Sequence, residues 1–155
     1  MKIGYNFPAL LQTFFTDRLM AQRNVSPHTI VAYRDTFRLL FAYAQERLGK
    51  APSALTLEDL DSSFIGGFLD HLEHARHNGA RSRNARLAAI RSFFRYAAYQ
   101  LPEHSSLVER VLAMPSKNYK RTLIEYLTEK ETKAIIDAPD RNTWSGRRDY
   151  ALFLV

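Results

Sequence analysis

"RSRNARLAAIRSFFRYAAYQ", Arg81 to Gln100, is the stretch whose reading decides the fold. It holds five arginines and no acid. At about 100° per residue, Leu87, Ile90, Phe94, Ala97 and the following Leu101 fall on one side, which predicts a helix with an apolar core face. The opposite side holds Arg81, Ala85, Ala88, Ala89 and Ser92, most of them small. Arg86 lies on one flank, and Asn84, Arg91 and Arg95 lie on the other. Arg83 is assigned to a frayed start.

Such a helix suits a polyanion. Small side chains let its axis approach a major groove. Flanking arginines then reach phosphates on either wall, or guanine edges bidentately. Ser82, near the helix start, leaves free N–H groups and a positive dipole end for a phosphate. The plainer alternative is a solvated surface helix, because arginine is a good helix former. Two observations weigh against it. No acid stands at i+4 from these arginines, and the basic run continues through Lys117, Lys120 and Arg121.

The charge is distributed unevenly. The whole chain of 155 residues carries 22 Lys+Arg against 16 Asp+Glu, a net +6. Residues 76–121 have 10 basic and 2 acidic groups, whereas residues 61–75 have 3 acids and no Lys or Arg. The middle segment therefore accounts for the excess, and its placement points to a polyanionic partner more strongly than the total does. A hydrophobic content of 46% can supply a core at this size. There is no cysteine, which excludes disulfides and thiol chemistry and fits a reducing compartment. No apolar run approaches a membrane span, and the start lacks the layout of a secretory signal, so a cytoplasmic location is expected.

The pattern is helical almost throughout. "FPALLQTFFTDRLMAQR" has Pro8 near a helix start and apolar residues at Leu11, Phe14, Phe15 and Leu19. Ser26 is an N-cap with Pro27 in the first turn, and Gly49 ends the helix that follows. Thr56 with Asp59 resembles a capping arrangement, and Asp61 can cap the next helix. Gly66–Gly67 inside that helix suggests a close backbone approach. Asn78–Gly79 suits a turn before the Arg-rich helix. A short helix around "SSLVERVLAM" stops before Pro115. "PSKNYKR" is polar, basic and unpatterned, as a linker would be. Thr128 with Glu131 then forms a capping box, Pro139 ends that helix, and "GRRDYALFLV" begins another. Strand alternation, repeats and low-complexity tracts are absent from the sequence.

Other constellations carry little chemistry. His71, His74 and His77 recur every third residue beside Glu73, but i and i+6 diverge on a helix and HExxH is absent, so solvated histidines are expected. Eight tyrosines and ten phenylalanines invite a stacking platform. Most, such as Phe14, Tyr33, Phe37, Phe41 and Phe94, fall on core-facing positions. Tyr96 and Tyr119 are the less buried candidates. GxSxG, P-loop and GxGxxG motifs and close carboxylate pairs are absent.

Three stretches together resemble a known family. "VSPHTIVAYRDTFRLLFAYAQ", "LTLEDLDSSFIGGFLDHL" and "ARSRNARLAAIRSFFRYA" are similar to the N-terminal core-binding domain of tyrosine recombinases, phage integrase and Xer-like. Its Ser-x-x-Thr-x-x-x-Tyr motif is met by Ser26, Thr29 and Tyr33. Its Thr/Ser-x-x-x-Arg-Leu-x-x-Ile/Leu-Arg-x-Phe-Phe motif is met by Ser82, Arg86, Leu87, Ile90, Arg91, Phe93 and Phe94. The tail from Tyr126 resembles the opening two helices of the family's catalytic domain. A Leu-Pro often precedes the Leu-Thr cap in that family, where this chain has Leu123–Ile124.

The resemblance implies an all-α fold. A SAM-like core-binding bundle of four to five helices would span residues 1–114, a basic interdomain linker 115–127, and the N-terminal fragment of a catalytic domain 128–155. It implies that the family's catalytic Arg, Lys, His and Tyr all lie beyond Val155. Arg147 and Arg148 are not that machinery, and this chain alone is expected not to be an enzyme. The intact protein would clamp duplex DNA and cut one strand through a tyrosyl-phosphate intermediate. It would exchange strands in a tetramer of recombinase protomers, with no metal, nucleotide or other cofactor. DNA contacts are expected from Thr29, Arg34, Arg81, Ser82, Asn84, Arg86 and Arg91, with Asn84 and Arg91 reading bases. Lys117, Lys120 and Arg121 would follow the DNA backbone. Two other classes stay open: a stand-alone helical DNA-binding protein, either a recombinase remnant or a regulator, and a helical protein–protein module with an acidic partner.

Overall fold

Ser26 and Gly49 frame a long helix as their chemistry dictates. The Ser26 hydroxyl accepts from the Thr29 amide, Pro27 occupies the first helical position, and Gly49 closes the far end at φ +65° with its N–H on the Gln45 carbonyl. In the computed structural model, which describes residues 7–119 and 126–154, this helix is α2 (Pro27–Leu48). The chain divides into two compact units, Met1–Tyr119 and Lys120–Val155. All the regular structure among the described residues is helical.

Among the described residues, the first unit holds five α-helices. Helix α1 (Phe7–Thr13) continues into a π-wound stretch, Phe14–Gln22, where one regular helix was expected. The reason lies in the spacing of the buried side chains. Phe14 and Leu19 are five apart and both buried, and the wider turn keeps both on the core side. The Thr13 and Thr16 hydroxyls donate to the carbonyls of Ala9 and Gln12, four residues back.

Asp61 caps α3 (Ser62–His74) by accepting from the Phe64 amide at 2.7 Å. The close approach expected at the glycine pair falls on Gly67. A Cβ there would stand 2.9 Å from the Tyr43 hydroxyl of α2. In the turn that follows, the left-handed residue is His77, at φ +52°, while Gly79 is extended and serves as N-cap of α4 (Ala80–Gln100). Helix α5 (Ser105–Leu112) completes the unit.

Helix α4 packs against α2, α3 and α5. Its Leu87, Ile90, Phe93, Phe94 and Ala97 are all buried. Phe93 meets Phe7, Phe14 and Phe37 edge-on at centroid distances of 5.6, 5.5 and 5.4 Å. That edge-to-face geometry suits the ring quadrupoles, and the phenylalanines form a core rather than a stacking platform.

The second unit is small. Thr128 and Glu131 form the expected capping box on α6 (Glu129–Asp137). Thr143 caps α7 (Trp144–Phe153), two residues ahead of the expected start, by accepting from the Gly146 amide.

Candidate nucleic-acid interface

Helix α4 presents its outer face because its inner face is fixed in the core. Arg81, Ala85, Ala88, Arg95 and Tyr99 are exposed along one strip, with Ser92 half-buried between them. Ala89 does not join that strip. It is 1% exposed, because the core stripe is wide enough to take it beside Phe93. Gly79 gives the helix no side-chain cap, and no acid occupies its first turn.

The arginines of α4 have separated into different roles. Arg83 is not at a frayed end. The helix begins three residues earlier, and Arg83 is 7% exposed, its Nε 3.5 Å from Glu73 Oε2 of α3. Its Nε and Nη1 have no hydrogen-bond acceptor among the described residues. A buried guanidinium needs a countercharge, and Glu73 supplies it from the acid-only run.

Arg86 reaches away from the strip. Its Nη1 donates to the Ala32 carbonyl and to Thr36 Oγ1 of α2, both at 3.0 Å. Thr36 is buried, and its hydroxyl donates to the same carbonyl at 2.9 Å. Arg86 is therefore a strut joining α2 to α4.

Asn84, Arg91 and Lys117 converge on one cluster. Asn84 Nδ2 donates to the Lys117 carbonyl at 2.7 Å, and its Oδ1 accepts from the Lys117 amide at 2.9 Å. Lys117 Nζ lies 2.6 Å from Glu73 Oε2, and Arg91 Nη1 donates to Ser116 Oγ at 3.4 Å. The segment after α5 is thus fastened to α3 and α4.

The remaining expected contacts take no part in that cluster. Thr29 is half-buried, with its hydroxyl 3.0 Å from Ser26 Oγ in the α2 cap. Arg34, Arg81 and Ser82 are exposed, and none has an ion pair or side-chain hydrogen bond among the described residues. Lys120 and Arg121 lie outside the described residues.

Comparison with known proteins adds what geometry alone does not. The model of the phage integrase N-terminal SAM-like domain matches residues 13–100, from the end of α1 to the end of α4. The chain belongs to the phage integrase family. It is 57% identical over 146 residues to "Putative integrase/recombinase y4rC" of Sinorhizobium fredii, covering 94% of this chain and 44% of the relative. It is 46% identical over 147 residues to "Putative integrase/recombinase y4rD" of the same organism, covering 94% of this chain and 52% of the relative. It is 35% identical over 136 residues to the tyrosine recombinase XerC of Pelotomaculum thermopropionicum, covering 86% and 42%. The chain therefore spans about half the length of the curated relatives it matches. No solved structure matches it significantly.

Within this integrase-family unit, Glu73, Arg83, Thr36 and Ser116 are the polar residues that sequence reasoning missed. Arg83 could have been found, since it lies one turn before Leu87 on the core side of the wheel. Glu73 had only its place in an acidic run beside a basic one. No described helix is long and apolar enough to cross a membrane. The described residues contain no group of three metal-ligating side chains. His71 lies beside the Tyr43 ring, and His74 Nδ1 is 2.8 Å from the Asp70 carbonyl.

Proposed function

We propose that this chain is the DNA-binding N-terminal part of a tyrosine site-specific recombinase. One observation carries the reading. The exposed strip of α4 carries Arg81 and Arg95 on either side of Ala85 and Ala88, and neither arginine has a partner among the described residues. A narrow helix face with cations flanking small residues fits a major groove, with the arginines on phosphates. The Arg86 strut holds α2 at a fixed spacing, so Arg34 and Thr29 would meet the duplex in register with α4. Arg81, Arg95, Ser82 and Arg34 are the phosphate contacts in this reading. Asn84 and Arg91 are the base readers, and Lys117, Lys120 and Arg121 follow the backbone.

The relatives named tyrosine recombinases support the wider picture. In it, residues 1–114 are the core-binding domain, 115–127 the linker and 128–155 the start of a catalytic domain. That domain would supply the tyrosine, whose oxygen attacks a DNA phosphorus and displaces a sugar hydroxyl. Protomers would assemble as a tetramer on DNA.

Salt dependence tests the binding step. Duplex affinity should fall linearly with salt on logarithmic axes, and Arg81→Ala should reduce the slope by about 0.9, the value for one lost phosphate contact. Arg86→Ala removes no phosphate contact of its own, because its guanidinium is committed to α2, so its slope should change less than that of Arg81→Ala. Salt-independent affinity would overturn the proposal.

A further inference from the structure

The fastening of Lys117 raises a question of competition. Asn84 carries an acceptor oxygen and a donor nitrogen side by side, and a single residue engages both atoms: the Lys117 amide donates to Oδ1 and the Lys117 carbonyl accepts from Nδ2. An adenine edge in the major groove offers the same pair, with N6–H donating and N7 accepting. The backbone of Lys117 therefore presents to Asn84 the hydrogen-bond pattern of an adenine. Ser116 Oγ accepts one bond from Arg91 Nη1 at 3.4 Å, and Glu73 gives Lys117 Nζ the anionic partner a phosphate would.

We infer that residues 116–117 form a latch on α4, and that latching and base reading by Asn84 exclude each other. This rests on the proposed duplex-binding role of α4. The energetics allow exchange. The bonds of Asn84, Arg91 and Lys117 in the latch are solvent-exposed, where each pair contributes little net. The Arg91 contact is long, and Arg91 Nε has no partner among the described residues. A duplex in the groove offers these groups equivalent partners and a large electrostatic gain. By linkage, whatever loosens the latch strengthens duplex binding, and duplex binding loosens the latch by the same factor. The segment after α5 is thereby held in the free protein and released on DNA.

Amide hydrogen exchange on the full chain tests this in two steps. In the free protein the Lys117 amide is slowed, and Asn84→Ala removes the slowing; exchange at the unprotected rate in the unaltered chain means there is no latch. Saturation with an adenine-containing duplex abolishes the Lys117 protection while that of α4 persists. Protection that survives in the complex overturns the exclusion.

A pair of surface variants provides an independent readout. Lys117→Ala and Lys117→Pro both lack the ammonium, but only the proline also lacks the amide. The proline variant should bind duplex about fivefold more tightly than the alanine variant, the worth of one modest hydrogen bond. Equal or weaker binding by the proline variant contradicts the exclusion. If no variant binds duplex, the function proposed above fails and the exclusion fails with it, whereas the free-protein exchange still reads the latch by itself.

Discussion

The two units of this chain use the same helix signals to different effect. In the first, caps at Ser26 and Asp61 start helices whose apolar faces are then buried, with Phe14, Phe68, Phe93 and Phe94 fully enclosed. In the second, the Thr128 box and the Thr143 cap are as well formed, yet Gly146 is the only residue buried among those described. Trp144 is 71% exposed and Leu152 66%. What ties α6 to α7 is polar: Arg141 bonds Asp137 at 2.7 Å and lies 3.7 Å over the Tyr150 ring. Capping makes a helix legible and fixes its ends. Burial of apolar area is what makes a set of helices cooperative.

The largest effect that would sharpen this contrast is loss of Phe93. Phe93→Ala removes a ring touching four others and should cost about 3–5 kcal/mol, read as a drop in the denaturant midpoint of the first unit. Amide protection in α6 should not change. Equal loss in both units would break the comparison by showing them to be one cooperative body. Next is Arg86→Ala, which removes two charge-assisted bonds to α2 and should destabilise the first unit by about 2 kcal/mol.

A smaller effect is expected from Thr128→Ala. Removing the cap should destabilise α6 by about 1 kcal/mol, seen as faster exchange over Glu129–Asp137 with no shift in the main unfolding transition. The smallest concerns acid. The Lys50 ammonium, hydrogen-bonded to Asp59 at 2.6 Å, and the Thr56 amide hold the Asp59 carboxyl below its ordinary range, against a burial that raises it. A lowered folded-state pKa means that Asp59 stabilises the fold at pH values above its unfolded pKa of about 3.9, and that this stability is lost as pH falls through the lower folded value. Asp59→Asn should flatten that part of a stability–pH curve. An unchanged curve would show that the Lys50 contact does not persist in solution.

The sequence made the helices legible because their signals are local. Ser26, Asp61 and Thr128 act within one turn, and the core stripe of α4 needs only its own period. The π-wound stretch after Thr13 was not legible, because its cause is the demand of the core for both Phe14 and Leu19. The candidate site was half legible for the same reason. Arg81 and the small residues Ala85 and Ala88 stand out on a helical wheel. The commitments of Arg83 to Glu73, Arg86 to α2, and Asn84 to Lys117 cross between elements, and no local pattern announces them. Arginine content predicted a basic helix, but packing decided which arginines remain free.

The most direct test of the central claim uses Arg81 and Arg95, the two arginines of the α4 strip without a partner among the described residues. Duplex affinity should be measured across a salt series for the unaltered chain and for Arg81→Glu combined with Arg95→Glu. The account predicts an affinity that weakens steeply with salt and, in the double variant, falls by about a hundredfold or more at low salt while the fold is retained. Undiminished affinity in a folded double variant would contradict it.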